Sequence, residues 1–262
     1  MTNEQTPVLS NTEPIELPSK GQFYPKGSPM SSGEVELNYM TTYHEDILTS
    51  KTLLSKGMDV VVERLLDSLI ATPGINQKDL LLGDRDALLI AARIMGYGSK
   101  YVVIVECPAC GKQTEQDIDL SVVNDKEIDL SQFPEGSNQF SFILPYCKKE
   151  VVFKLLTQRD VDNIEREIKS LSKISNGVQP RVSTRLKYMI VSIDGDDDKN
   201  TIRRFVDKEM TSRDSLKLRD YYGSINPSLD LKYDFVCDKC GHTKEGEEVP
   251  IGASFFWPTT SW

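Results

Sequence analysis

Two short cysteine motifs set the tightest limit on this chain: Cys107-Pro-Ala-Cys110-Gly111 and Cys237-Asp-Lys-Cys240-Gly241. Each follows a strand-like run, Tyr101–Val105 and Leu229–Val236. Two cysteines three apart at a hairpin tip point their sulfurs to one side, and the glycine permits the tight turn that frees backbone N–H groups toward them. Two such knuckles facing each other supply four thiolates in a tetrahedron. That donor set suits Zn²⁺ and argues against Mg²⁺ or Ca²⁺. A redox pair of the thioredoxin type would open a helix, and neither motif does. Free buried cysteines are the remaining alternative, and these rarely come as matched pairs.

The spacing is unusual. Residues 111–236, a stretch of 126, separate the two knuckles, whereas a zinc ribbon ordinarily separates them by roughly 15–20 residues. A shared metal therefore ties the middle of the chain to its end. A closed Cys₄ shell leaves no open coordination position, so the expected role of one Zn²⁺ on Cys107, Cys110, Cys237 and Cys240 is structural.

Charge decides against the common nucleic-acid role of such modules. Residues 101–120 carry one lysine and four acidic residues, and residues 230–250 carry three lysines and six acidic residues. Four thiolates on one zinc add further negative charge, opposite to what a phosphate backbone attracts. Residues 154–219 are net positive, but their charges are interleaved along helices, which is an ordinary solvated face. The longest apolar run, Ala87–Ala92, has six residues, against about 20 for a membrane span. Residues 1–10 show no apolar signal region, so a reducing cytosol is expected.

Periodicity locates the elements. Glu34–Tyr39 alternates as a strand does. Val62, Leu65, Leu66 and Leu69 line one helix face, stopped by Pro73-Gly74. A buried helix is expected from Asp84 to Gly96 or Gly98, then a strand at Tyr101–Val105. Gln139–Leu144 and Val151–Leu156 read as paired strands around a loop holding Pro145 and Cys147. Thr157 with Asp160 forms a capping box ahead of the stripe Val161, Ile164, Ile168 and Leu171. Leu186, Met189, Ile190 and Ile193 read as a further helical stripe. Thr211 with Asp214 opens a helix stopped near Gly223 and Pro227.

Other candidate sites fail on spacing. Asp194–Thr201 is acidic, yet the glycine and glutamate of a calcium loop are replaced by Lys199 and Phe205. No phosphate-loop, dinucleotide, nucleophile-elbow or zinc-protease motif occurs, and only His44 and His242 are available for imidazole chemistry. His242 reads as a neighbour of the second knuckle, and Cys147 as a plain loop or core cysteine. The chain is expected not to be an enzyme. Both tryptophans lie in Phe255-Phe-Trp-Pro-Thr-Thr-Ser-Trp262. Such an aromatic tail folds back on its own domain or docks on a partner.

Several stretches together carry a resemblance. They are Leu17-Pro-Ser-Lys-Gly-Gln-Phe-Tyr-Pro25, Gly33–Leu48, Asp79-Leu-Leu-Leu-Gly-Asp-Arg-Asp86, the two knuckles and Phe255-Phe-Trp-Pro258. In this order they resemble the baseplate hub and hub-assembly proteins of T4-like contractile-tailed bacteriophages. The resemblance implies a non-enzymatic structural subunit of a tail baseplate hub, with hub and tape-measure proteins as partners. It implies assembly in the host cytoplasm and a place in the virion tail baseplate. A transient assembly chaperone of the same family is the alternative, and a zinc-ribbon nucleic-acid adaptor a lesser one.

The expected fold is α+β. A zinc-ribbon-like β module is formed from residues 101–120 and 229–250, with residues 121–228 as an inserted α+β segment. Residues 33–100 give a strand and a helical region, residues 1–32 an extended, partly disordered arm, and residues 251–262 an aromatic tail. Leu17, Phe23, Tyr24, Phe255, Phe256, Trp257 and Trp262 are the expected partner contacts.

Overall fold

In a computed structural model, residues 11–173, 179–249 and 253–256 are described. The chain mixes helices with small sheets whose strand pairings are all antiparallel. It opens with β1 (Thr12–Glu16), which pairs with β2 (Glu34–Asn38). Three helices follow: α1 (Thr42–Thr49), α2 (Lys51–Leu54) and α3 (Met58–Leu69). In α3 the buried positions are Val61, Leu65, Leu66 and Leu69, with Val62 half-buried, so the core-facing stripe lies slightly to one side of the expected one.

Helix α4 (Leu82–Tyr97) buries Ala87, Leu88, Leu89, Ile90 and Ala92, which is what its near-continuous apolar run requires. Gly98 ends it in a positive-φ conformation (81°), its N–H bonding to the Ile94 carbonyl. The hairpin β3 (Lys100–Glu106) and β4 (Gln113–Asp119) follows. A three-stranded sheet then orders β5 (Phe140–Ile143), β6 (Glu150–Phe153) and β7 (Ile190–Ile193), with β6 central. Between β6 and β7 lie α5 (Gln158–Ser172) and α6 (Arg181–Met189). After β7 come α7 (Lys199–Arg204), a π-helical turn at Phe205–Glu209 and α8 (Ser212–Ile225). The hairpin β8 (Lys232–Val236) and β9 (Thr243–Glu248) and a 3₁₀ turn at Ala253–Phe256 complete the described chain.

One stripe breaks in two. Leu186 and Met189 belong to α6, but Ile190–Ile193 is a strand. β-Branched Ile-Val-Ser-Ile favours extended backbone, and the open edge of β6 supplies the hydrogen bonds. The turn at Asp194 and Gly195, both at positive φ, then reverses the chain. Asp194 accepts the Glu150 N–H at 2.9 Å, so this acidic turn holds β7 to β6.

One large apolar core runs from Leu17 to Phe256 among the described residues. Residues 121–228, expected as an insertion, share it with the N-terminal half: Phe23 packs edge-on against Phe133 and Phe140, and the Phe140 ring lies tilted against Phe153. The Leu82 N–H bonds to the Leu156 carbonyl at 3.3 Å. The arm is correspondingly not extended beyond Glu16. Residues 17–33 fold into compact turns that bury Leu17, Phe23, Tyr24 and Met30. Leu17, Phe23 and Tyr24, and Phe255 and Phe256, expected as partner contacts, are buried in the chain's own core. Trp257 and Trp262 lie outside the described residues.

Candidate metal centre

Each cysteine motif sits at the tip of a hairpin, Cys107 and Cys110 between β3 and β4, Cys237 and Cys240 between β8 and β9. The two tips are built alike. The Cys107 N–H bonds to the Lys112 carbonyl and the Gly111 N–H to the Cys107 carbonyl, both at 2.9 Å. In the second tip, Cys237 N–H to His242 carbonyl is 2.8 Å and Gly241 N–H to Cys237 carbonyl is 2.9 Å. Gly111 and Gly241 sit at φ 67° and 72°, a backbone state that strains residues with a Cβ.

The tips face each other. The Cys107 and Cys240 sulfurs are 3.7 Å apart, those of Cys110 and Cys237 3.8 Å, and all four lie within 4.8 Å of one another. These are too long for disulfides. A zinc ion about 2.3 Å from four sulfurs sets tetrahedron edges of about 3.8 Å, so the cluster fits a metal ion of that kind. Cys107 and Cys237 are buried, Cys110 and Cys240 exposed.

Crowding of the sulfurs separates their acidities. Burial works to raise the Cys237 thiol. Hydrogen bonds from the Lys239 and Cys240 N–H groups and the neighbouring thiols outweigh it and bring Cys237 to about 7. At Cys240 the His242 N–H favours the thiolate, but the bond to Cys237, burial and the Cys110 and Cys107 sulfurs push it up to about 12. Four thiolates this close would repel one another, and a bound cation would offset that repulsion.

Little else holds the two hairpins to each other. Their shared apolar cluster is small, centred on Cys107, Phe235 and Cys237 with Val105 and Tyr233 at its edge. Polar contacts complete the seam. The Gln116 amide lies along the β8 backbone, its Nε2 donating to the Val236 carbonyl at 2.9 Å and its Oε1 accepting the Val236 N–H at 3.1 Å. A side-chain amide here substitutes for a strand's peptide group. Thr114 donates its hydroxyl to Asp238 across the same seam. Neither Gln116 nor Thr114 carries a sequence signal, because the need for them arises only once β4 lies beside β8.

The remaining candidates fall elsewhere. His242 contributes its carbonyl to the second tip, and its ring lies 6.4 Å from that of Phe235. His44 is buried and caps α1, its Nδ1 accepting the Thr41 N–H at 2.9 Å. Cys147 is half-buried, and its N–H donates to Asp214 at 3.2 Å.

The stretches Leu17–Pro25 and Asp79–Asp86 meet in the structure around a fully buried carboxylate. Asp84, in the first turn of α4, accepts the Ser19 N–H at 2.9 Å, the Ser19 hydroxyl at 2.7 Å and the Tyr24 hydroxyl at 2.6 Å. Tyr24 in turn accepts the Leu81 N–H at 2.9 Å. Burial raises the Asp84 carboxyl against these donors, and burial followed by the Asp84 charge raises Tyr24. Beside it, Gly83 lets the chain at Pro227 pass: a Cβ on Gly83 would stand 1.9 Å from the Pro227 carbonyl oxygen. Arg93 fastens the far end of α4. It donates to the carbonyls of Phe255 and Gly98 at 2.8 Å and of Lys100 at 3.0 Å.

Fold and site together define a mixed helix-and-strand protein clamped by a four-cysteine cluster that could hold a metal ion. The family model described as T4 bacteriophage base plate protein matches residues 11–257, and the chain belongs to that family. Comparison with curated proteins and with solved structures gives no match. Among the described residues no helix is long and apolar enough to cross a membrane.

Proposed function

We propose that this chain is a non-enzymatic structural subunit of a phage tail baseplate hub, binding other hub proteins and the tape-measure protein. One structural Zn²⁺ on Cys107, Cys110, Cys237 and Cys240 joins the hairpins of residues 101–120 and 229–250 into a zinc-ribbon-like module. The observation that carries the reading is family membership across 11–257, which spans both knuckles and the segment between them. The four-sulfur cluster supports the metal, since it joins two surfaces far apart in sequence and presents them in fixed relation. Acidic residues around the cysteine tips disfavour a nucleic-acid partner. The chain assembles in the host cytoplasm and stays in the virion tail.

Quantitative mass spectrometry of purified, intact phage particles tests this. The expected result is a fixed small-integer ratio of this chain to a known hub protein. Absence from particles, with presence in infected-cell assembly intermediates, would overturn retention in the hub and favour a departing chaperone.

A further inference from the structure

A groove of about 980 Å³ lies among α3, α4 and α5. Its floor is apolar: Met58 and Val62 from α3, Leu89 from α4, Val161 from α5, and Phe256. Met58, Val62 and Val161 are only half-buried, so apolar surface remains open there. The rim is charged, with Lys78 bridging to Glu63 at 2.9 Å and to Asp162 at 2.8 Å. Asp86 also faces the groove. Its carboxylate takes no hydrogen bond from any described residue, and burial, opposed by the Arg85 charge, raises its carboxyl to about 6. An apolar floor beside an unpartnered carboxylate suits an apolar group carrying one N–H donor.

The chain itself indicates what fills the groove. The described residues end at Phe256, which forms part of the floor. The approach is fixed, because Arg93 holds the Phe255 carbonyl and the Phe255 ring packs edge-on against Tyr101 at 5.1 Å and Phe256 at 5.2 Å. The next six residues, Trp257-Pro-Thr-Thr-Ser-Trp262, contain both tryptophans of the chain. Six extended residues reach about 20 Å, which matches the roughly 18 Å length of a 12-residue helix such as α3. An indole has a large apolar body and a single donor, the complement of this floor and acceptor.

We propose that this groove is the intrachain seat of residues 257–262, with an indole on the floor of Met58, Val62, Leu89 and Val161 and its N–H donated to Asp86. The contact depends neither on the metal nor on the hub reading.

Tryptophan fluorescence tests it directly, because both tryptophans lie in the tail. Emission and acrylamide quenching are recorded on the full chain at several protein concentrations, and again in urea. The expected native emission is blue-shifted from the unfolded value, weakly quenched and independent of concentration. Val62→Asp and Val161→Asp, at half-buried positions, are each expected to move emission toward the unfolded value and raise quenching while far-UV circular dichroism is retained. Met58→Lys replaces any floor variant that loses its fold. Solvent-like native emission overturns the proposal and leaves the groove to another protein. A blue shift that survives the floor variants overturns it by placing the tail elsewhere. A blue shift that grows with concentration overturns the intrachain seat in favour of a second copy.

Discussion

The body of the molecule and its cysteine module solve the same problem, burying polar and charged groups, in opposite ways. In the body, the buried carboxylates Asp84 and Asp214 each have their own donors. Asp84 gathers Ser19 and Tyr24, and Asp214 gathers the N–H groups of Tyr146 and Cys147 and the Thr211 hydroxyl. A continuous apolar core then supplies most of the stability. In the module, four sulfurs crowd one point and the apolar cluster is centred on three residues. Asp84 and Asp214 are served by protein groups, whereas the module gathers a cluster that could hold a metal ion. Metal loss should therefore be a local event, and core mutation a global one.

The largest expected effect breaks the module. Structural zinc sites contribute about 10–16 kcal/mol of apparent binding energy in small zinc-finger peptides. A strong chelator, or Cys107→Ser, is expected to abolish amide-exchange protection in β3, β4, β8 and β9. Protection in α4 and β6 should persist, and its simultaneous loss would contradict the division between the two regions.

Next comes the body. Gly83→Ala drives a Cβ into the Pro227 carbonyl, and overpacking of this kind costs about 3 kcal/mol. Urea unfolding should show the loss, with metal content unchanged. Asp84→Ala leaves Tyr24 and Ser19 without their acceptor and is expected to cost about 2 kcal/mol. Asp84→Asn, which keeps one acceptor oxygen, should cost less by the same measurement.

A smaller change sharpens the seam. Gln116→Ala strips the Val236 N–H and carbonyl of their side-chain partner, a loss of about 1 kcal/mol. Faster exchange at Val236, with unaltered exchange in β6, is the expected readout.

The smallest effect concerns acid. Burial works to raise the Asp214 carboxyl, but the Tyr146 N–H, the Thr211 hydroxyl and the Cys147 N–H hold it below its ordinary 3.8. Its folded pKa being depressed, Asp214 contributes stability above about pH 4 that is lost as pH falls through the lower folded value. Asp214→Asn should flatten that acid limb of the stability profile while lowering stability at neutral pH.

Local chemistry is readable from the residues, and long-range pairing, the two cysteine tips apart, is not. The Thr157–Asp160 capping box and the Thr211 cap form as spacing predicts, because each is settled within four residues. The knuckles lie together because cysteine pairs with a following glycine carry their own geometry. Ile190–Ile193 escaped because its four residues fit a helical stripe until the β6 edge offers partners. Thr42–Thr49 escaped because its cap is a histidine, His44, where Glu or Gln is the usual sign. Phe23 and Tyr24 looked free for partners because Phe140 and Asp84, which engage them, are distant in sequence.

The proposed metal ion on the four cysteines would join the two hairpins. Elemental mass spectrometry of the natively purified full chain measures it most directly. The expected result is one zinc per chain, falling to near zero in Cys107→Ser. Native protein without near-stoichiometric metal, with all four thiols free to react, would contradict it.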